Sequence, residues 1–243
     1  MTQLTTARIK FIKSLSQKKF RNEEKLFIVE GEKLAEEAEK SGFKIVEKYY
    51  REEIGDNAMS RISSLSSPSP VLAVVEQKNI SFEEFLQSSI AVEEGLYLAL
   101  DDIKDPGNLG TIIRVADWFG IDAIFASNET VELYNPKVVQ ATMGAIFRKK
   151  VIYCNLQKAL SSLSHKGLPV YGTFLDGENI HKKKLTPNGV IVIGNESNGI
   201  SKVVEKNVGE RLYIPPYPAG AVTSESLNAA IATAIVCYTF RKG

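Results

Sequence analysis

Three short stretches hold residues whose types and spacing could do chemistry. In Asp101 to Arg114 (DDIKDPGNLGTIIR), an apolar strand runs into a helix. Ligands of open α/β sheets sit at such carboxyl ends of strands. Gly107 and Gly110 allow a close backbone approach, and Asn108 can cap the helix. Arg114, about one and a half turns in, can fold its long arm back toward the helix start. In Val190 to Ile200 (VIVIGNESNGI), a strand ends in a polar turn. The turn's backbone N–H and C=O groups could meet a ligand's edge, with Glu196 as a further acceptor. In Leu212 to Gly220 (LYIPPYPAG), three prolines and a glycine make a stiff loop over the strand ends. Ser224-Glu225-Ser226-Leu227-Asn228 and a helix of small residues follow, with Ser224 or Ser226 placed to cap it. Taken singly, each stretch also fits plain structure: a capped helix with a surface arginine, a strand-to-helix turn with Glu196 near the next N-terminus, and a packing helix.

Several other chemistries are excluded. No GxxxxGK[ST] occurs, and the glycines do not form GxGxxG, so the phosphate-loop and dinucleotide fingerprints are both absent. Cys154 and Cys237 lie in unrelated segments, and His165 and His181 stand beside lysines. Neither a metal site nor a Cys-His nucleophile pair is expected from them. Hydrophobic residues at 44% and charged residues at 24% suit a soluble globular protein. The net charge of +1 confines any nucleic-acid surface to a local patch. One candidate is residues 1–25, where Arg8, Lys10, Lys13, Lys18, Lys19, Arg21 and Lys25 face only Glu23 and Glu24. A solvated basic helix face is the alternative reading. The start carries no apolar signal core, and the run Leu227 to Phe240 is too short and polar to span a bilayer. A cytoplasmic, reducing setting is expected.

The elements that must position these residues fall into two groups. Residues 1–20 place Ile9, Ile12 and Leu15 at helical spacing, as a short helix with one apolar edge. Phe27 to Val29 reads as a strand, Lys33 to Lys40 as a helix stopped by Ser41-Gly42, and Phe43 to Tyr50 and Val71 to Val75 as strands. Ser60 to Pro70 reads as a loop and Ile80 to Leu86 as a small helix. From about Glu93-Glu94-Gly95 the rhythm becomes strand, loop, helix. Strands fit Leu96–Leu100, Ala123–Ala126, Lys150–Tyr153, Val170–Phe174, Val190–Ile193 and Arg211–Ile214. Helices fit Leu109–Phe119, Pro136–Met143 (with Asn135 as cap), Leu156–Ser164, Ser201–Glu205 and Ser226–Arg241. Apolar strands alternating with helices predict an α/β, mostly parallel sheet covered on both faces over residues 95–243. A smaller αβ domain over residues 1–94 precedes it.

Taken together, the stretches resemble a known family. Asn108-Leu109-Gly110 with Arg114, Gly194-Asn195-Glu196 with Gly199, and Ile214-Pro215 with Ser226-Leu227-Asn228 are similar to motifs one, two and three of the SpoU (TrmH-like) RNA methyltransferases of the SPOUT class. Met143 to Arg148 resembles a further family stretch, and Arg21 to Gly42 the family's RNA substrate-binding domain, itself similar to a small ribosomal-protein fold. The resemblance implies a deep trefoil knot in the C-terminal domain and a homodimer with Arg114 near its interface. It implies S-adenosylmethionine held by Thr173-Phe174-Leu175, Gly194-Asn195-Glu196, Ile214-Pro215 and Ser226-Leu227-Asn228, with S-adenosylhomocysteine as product. Two departures are visible: Ser197 stands where glycine is common, and the loop from Pro215 to Ser224 is long and proline-rich.

The implied reaction is methyl transfer to a ribose 2′-hydroxyl. Arg114 is the expected catalytic residue, stabilising the developing alkoxide, with Asn108 and Glu196 orienting it. A guanidinium gives up its proton too reluctantly to act as a base. RNA is the expected substrate, ribosomal RNA ahead of transfer RNA, with Lys18, Lys19, Arg21 and Arg148 on its phosphates. The rival reading is an RNA-binding protein whose catalytic domain is inactive. The joint presence of Asn108, Arg114, Glu196, Ser226 and Asn228 speaks against it.

Overall fold

The computed structural model describes residues 4–88, 92–218 and 224–242, in two compact units. The first joins the chain up to Asn79 to Glu132–Arg148, and the second holds Ile80–Val131 and Lys149–Gly243.

The first unit is built on three antiparallel strands, β1 (Leu26–Glu30), β2 (Ile45–Tyr50) and β3 (Val71–Glu76), in the order β1-β3-β2. The central β3 reads VLAVV and is buried along that run, as a strand covered on both faces requires. Helices α1 (Thr6–Ser14), α2 (Lys18–Glu24), α3 (Glu32–Lys40), α4 (Arg51–Ile54) and α5 (Asp56–Ile62) surround the sheet. The apolar edge Ile9, Ile12 and Leu15 is buried together with Met59, Ile62, Ile28, Leu72 and Val74. Met59 and Ile62 lie one turn apart, and that pair makes α5 a helix where the sequence suggests a loop from Ser60.

Residues 132–148 contribute a helix and an aromatic pair to this unit. Tyr134 lies 4.5 Å from Phe27 between ring centres, and Phe147 lies 5.1 Å from Phe43. The Tyr134 hydroxyl donates to Lys78 O at 2.6 Å and accepts from Lys78 N at 2.9 Å. These contacts divide the chain differently from a single cut at residue 94. They draw 132–148 into the first unit and leave Phe82 and Phe85 to the second, edge-on to Phe125.

Along the second part of the chain run α6 (Phe82–Ser88), β4 (Leu96–Leu100), α7 (Pro106–Trp118), β5 (Ala123–Ala126), α8 (Pro136–Ala141, in the first unit), β6 (Val151–Tyr153), α9 (Leu156–His165), β7 (Val170–Asn179), β8 (Gly189–Ile193), α10 (Lys202–Glu205), β9 (Glu210–Tyr213) and α11 (Ala229–Arg241). The six strands pair in parallel, in the order β6-β5-β4-β8-β7-β9. Strands β4, β5 and β8 are buried at every residue, which is why their sequences are continuously apolar rather than alternating. Helices α7 and α11 run parallel and are pinned at both ends. Asn228 Nδ2 donates to Asn108 Oδ1 at one end, and Arg241 donates to the carbonyls of Phe119 and Gly120 at the other. No helix among the described residues is long and apolar enough to cross a membrane.

Candidate active site

Strand order turns back between β4 and β8, so the loops after Leu100 and Ile193 face each other across the sheet's switch point. Open parallel sheets bind ligands in this crevice. Asp101 N donates to Ile193 O at 2.9 Å, and Asn195 Nδ2 to Asp102 O at 2.7 Å, which clips the two loops together. The second loop closes on itself through Asn195 N to Gly199 O at 2.9 Å and Gly199 N to Asn195 O at 3.0 Å. Gly194 is required by this closure, because a Cβ there would lie 2.2 Å from the Gly199 carbonyl carbon. Ser197 N donates to Asn195 Oδ1 at 2.9 Å, a contact open to any residue with a backbone N–H, so a serine in place of glycine leaves the turn intact.

Glu196 joins this loop to the start of α7. Its carboxylate accepts from Lys104 N and Asp105 N, both at 3.2 Å, and from Asn108 Nδ2 at 2.9 Å. Burial pushes the Glu196 carboxyl upward. The hydrogen bonds from Asn108, from its own backbone and from Lys104 and Asp105 outweigh that and hold it below the usual carboxylate range. It is therefore an ionised acceptor at neutral pH. The Asn108 amide is used at both ends, toward Glu196 and toward Asn228. Asn228 Oδ1 in turn accepts from Ala230 N at 2.9 Å and Ile231 N at 3.3 Å. One polar chain, Glu196 to Asn108 to Asn228, thus ties the three stretches together.

Two caps differ from expectation. Asp105, not Asn108, caps α7 by accepting from Asn108 N at 2.8 Å, with Pro106 at the first helical position. Asn228, not Ser224 or Ser226, caps α11. Both are the Asx caps that helix starts favour, and each frees the expected residue for other contacts.

The remaining expected residues are placed as follows. Thr173 Oγ1 donates to Val192 O at 3.4 Å. Phe174 packs against the core, with the Arg211 guanidinium 3.5 Å from its ring centre, so its ring is already occupied. Leu175 is 70% exposed and Leu227 48% exposed. Ile214 and Pro215 leave the end of β9, and the Ser226 side chain is exposed beside the α11 start. Ala219 and Gly220 lie outside the described residues.

Arg114 stands apart from this chain of polar contacts. It is exposed, and among the described residues it makes no hydrogen bond or ion pair. Six residues of helix put it about 9 Å along α7 from Asn108 and about 120° around the axis, so neither Asn108 nor Glu196 orients it within this chain.

The phosphate candidates divide. Lys18 and Lys19 are exposed on α2. Arg148 pairs with Glu37. Arg21 is only 2% exposed, its guanidinium bonded to Glu132 and to Leu15 O at 2.9 Å. Its expected place on RNA phosphate is corrected to that of an internal strut. His165 and His181 are exposed. Sequence reasoning missed the Asp102–Asn195 clip and the two backbone donors to Glu196. It also missed Asp105 as a cap, although Asp105-Pro106 repeats the grammar read at Asn135-Pro136.

An all-parallel sheet with three loops knitted at its switch point defines a ligand-binding α/β domain, and comparison places it more closely. A model of the SpoU rRNA Methylase family matches residues 95–238, and a model of the MRM3-like substrate binding domain matches residues 6–91. The chain belongs to the SpoU rRNA methylase family. A relative from Bacillus subtilis, the 23S rRNA (guanosine(2553)-2′-O)-methyltransferase RlmP, is 31% identical over 260 residues, covering 99% of this chain and 100% of the relative. The AdoMet-bound rRNA methyltransferase of Sinorhizobium meliloti is 29% identical, with a TM-score of 0.87 over 99% of this chain and 97% of that one. The SpoU methyltransferase AviRb of Streptomyces viridochromogenes, 22% identical with a TM-score of 0.84 over 98% of each chain, shares the fold.

Proposed function

We propose that this protein transfers a methyl group from S-adenosylmethionine to a ribose 2′-hydroxyl of ribosomal RNA. The observation that carries the reading is the Glu196–Asn108–Asn228 chain, which unites the three family motifs at the switch point. The Bacillus subtilis relative's name adds large-subunit rRNA, and a guanosine, as the first target to examine. Transfer RNA is the second.

The cofactor suits the residues present. Backbone of Thr173-Phe174-Leu175, Gly194-Asn195-Glu196, Ile214-Pro215 and Ser226-Leu227-Asn228 would hold it. The exposed side chains of Leu175 and Leu227 offer apolar cover for an adenosine. When bound, S-adenosylmethionine supplies an electrophilic methyl group.

This chain's residues then have two tasks. The first is to hold the 2′-oxygen in line with the methyl carbon, and positioning of that kind is worth up to roughly 7–11 kcal/mol. The second is to stabilise the oxygen as its proton passes to solvent water, and Arg114 is the cation for this. Its exposure suits service at an interface with a second copy. Trp118 lies one turn further along the same face of α7 and is 85% exposed, while α11 adds Ile231 at 52% and Tyr238 at 59%. A homodimer covering that face, a knotted C-terminal chain and a cytoplasmic setting belong to this reading. So does a substrate-binding domain over residues 1–94 ahead of a methyltransferase domain over 95–243, a division along the sequence in which residues 132–148 pack with the first unit.

Purified protein incubated with methyl-labelled S-adenosylmethionine and RNA from cells lacking the gene should place label in a 2′-O-methylnucleoside of one rRNA species. Label confined to bases, or none with any RNA, would remove the reading. Lys18 and Lys19 are assigned to phosphate contacts together with Arg148. Neutralising Lys18 and Lys19 together should lower the salt slope of RNA binding by about two phosphate equivalents. An unchanged slope would return α2 to a solvated face.

A further inference from the structure

Tyr217 is the most exposed large hydrophobic side chain among the described residues, at 96%. It sits in Pro215-Pro216-Tyr217-Pro218, directly after β9. Proline fixes φ, so three prolines around one tyrosine present its ring on a backbone with little freedom left to lose on binding.

The place is specific. All six strands run parallel, so β9 ends at the same edge of the sheet as β4 and β8. The stretch between β9 and α11 starts at β9, where Tyr213 is in register with Asn179, and finishes at Asn228, bonded to Asn108 at the start of α7. Its two ends therefore lie on opposite sides of the β7 and β8 strand ends. Three strand spacings of roughly 4.8 Å, about 14 Å, separate β9 from β4. Tyr217 follows the end of β9 by four residues, at the sheet edge where Gly194 to Glu196 follow β8. Leu175, from the bend in β7, is exposed at the same edge.

We propose that Tyr217 is a stacking platform for an unpaired base of the RNA, next to the methylated ribose. The proposal rests on the methyltransfer reading above. A nucleotide must leave regular A-form stacking for its ribose to enter a crevice at strand ends, and the base so released loses a stacking partner. Exposed aromatic rings are the usual replacement in recognition of unpaired RNA, and they tolerate any base because every base has a π-face.

Tyr217→Ala should lower kcat/KM for the rRNA substrate roughly tenfold, within the range one stacked base supplies, through KM for RNA, with cofactor dissociation unchanged. Tyr217→Phe should stay within about twofold, since the ring and not the hydroxyl does the stacking. Tyr217→Trp should show fluorescence quenching on adding RNA beyond that of the parent protein, whose single tryptophan is Trp118. Unchanged kcat/KM in Tyr217→Ala would overturn the proposal. So would a Tyr217→Phe defect as large as the alanine one. A shift in dimerisation with RNA kinetics intact would assign the ring to a second copy instead. If the parent protein methylates no RNA, the methyltransfer reading has failed. Quenching of Tyr217→Trp by RNA is read separately, since it needs no turnover.

Discussion

Replacing Arg114 with Ala is expected to lower methyl transfer by about a hundredfold or more, by analogy with removing one donor from a developing oxyanion. Cofactor affinity should stay within about twofold. The expectation follows from what else the crevice holds. Glu196 is ionised and held by three donors, Asn108 is bonded at both ends of its amide, and Asn228 caps α11. These groups hold shape and have no positive charge to offer an alkoxide. Among the described residues Arg114 has no hydrogen-bond or ion-pair partner, so its charge is available to a substrate. Arg114→Lys should keep the charge but lose the planar fork, and recover only part of the rate. Because the residue lies one turn from Trp118 on the face proposed above to meet a second copy, sedimentation of the variant must accompany kinetics. Lost turnover with the parent's sedimentation unchanged supports the assignment. Near-normal turnover in Arg114→Ala would end it.

The contrast between Arg114 and Asn108 also marks where sequence reasoning reaches. The parallel sheet was legible because β4, β5 and β8 are continuously apolar, a pattern that burial on both faces imposes. Two of the candidate stretches were legible as glycine-containing turns after β4 and β8, and the third as a proline-rich loop after β9. What joins them was not, since Glu196 and Asn108 are 88 residues apart and Asn228 a further 32 from Glu196. Nothing in their local spacing encodes a shared hydrogen bond. The helix α5 failed to declare itself for a different reason. Ser60, Ser63 and Ser64 look like loop residues, and only the partner surface formed by Ile9 and Ile12 gives Met59 and Ile62 a reason to be helical. The placement of residues 132–148 needed the same kind of long-range information, carried by Phe27, Phe43, Tyr134 and Phe147.

Arg21 is the sharpest case, and it yields the second large prediction. Among the lysines of the first 25 residues it looks like one more phosphate contact, and charge alone does not distinguish it. The structure does, because Leu15 O and the Glu132 carboxylate use its donors from opposite directions. The guanidinium supplies several donors in a fixed plane, a geometry lysine lacks. Arg21→Ala should therefore cost about 3–5 kcal/mol, the usual price of leaving one member of a buried ion pair without the other. For a chain of this length that corresponds to a melting temperature lower by roughly 6–20 °C. Replacing both partners together, Arg21→Met with Glu132→Met, should recover much of the loss, since a buried pair is often matched by apolar residues of similar volume. Under conditions where Arg21→Ala remains folded, the salt slope of its RNA binding should equal that of the parent. A stable Arg21→Ala protein whose slope falls by about one phosphate equivalent would reverse the correction and put the residue back on the RNA.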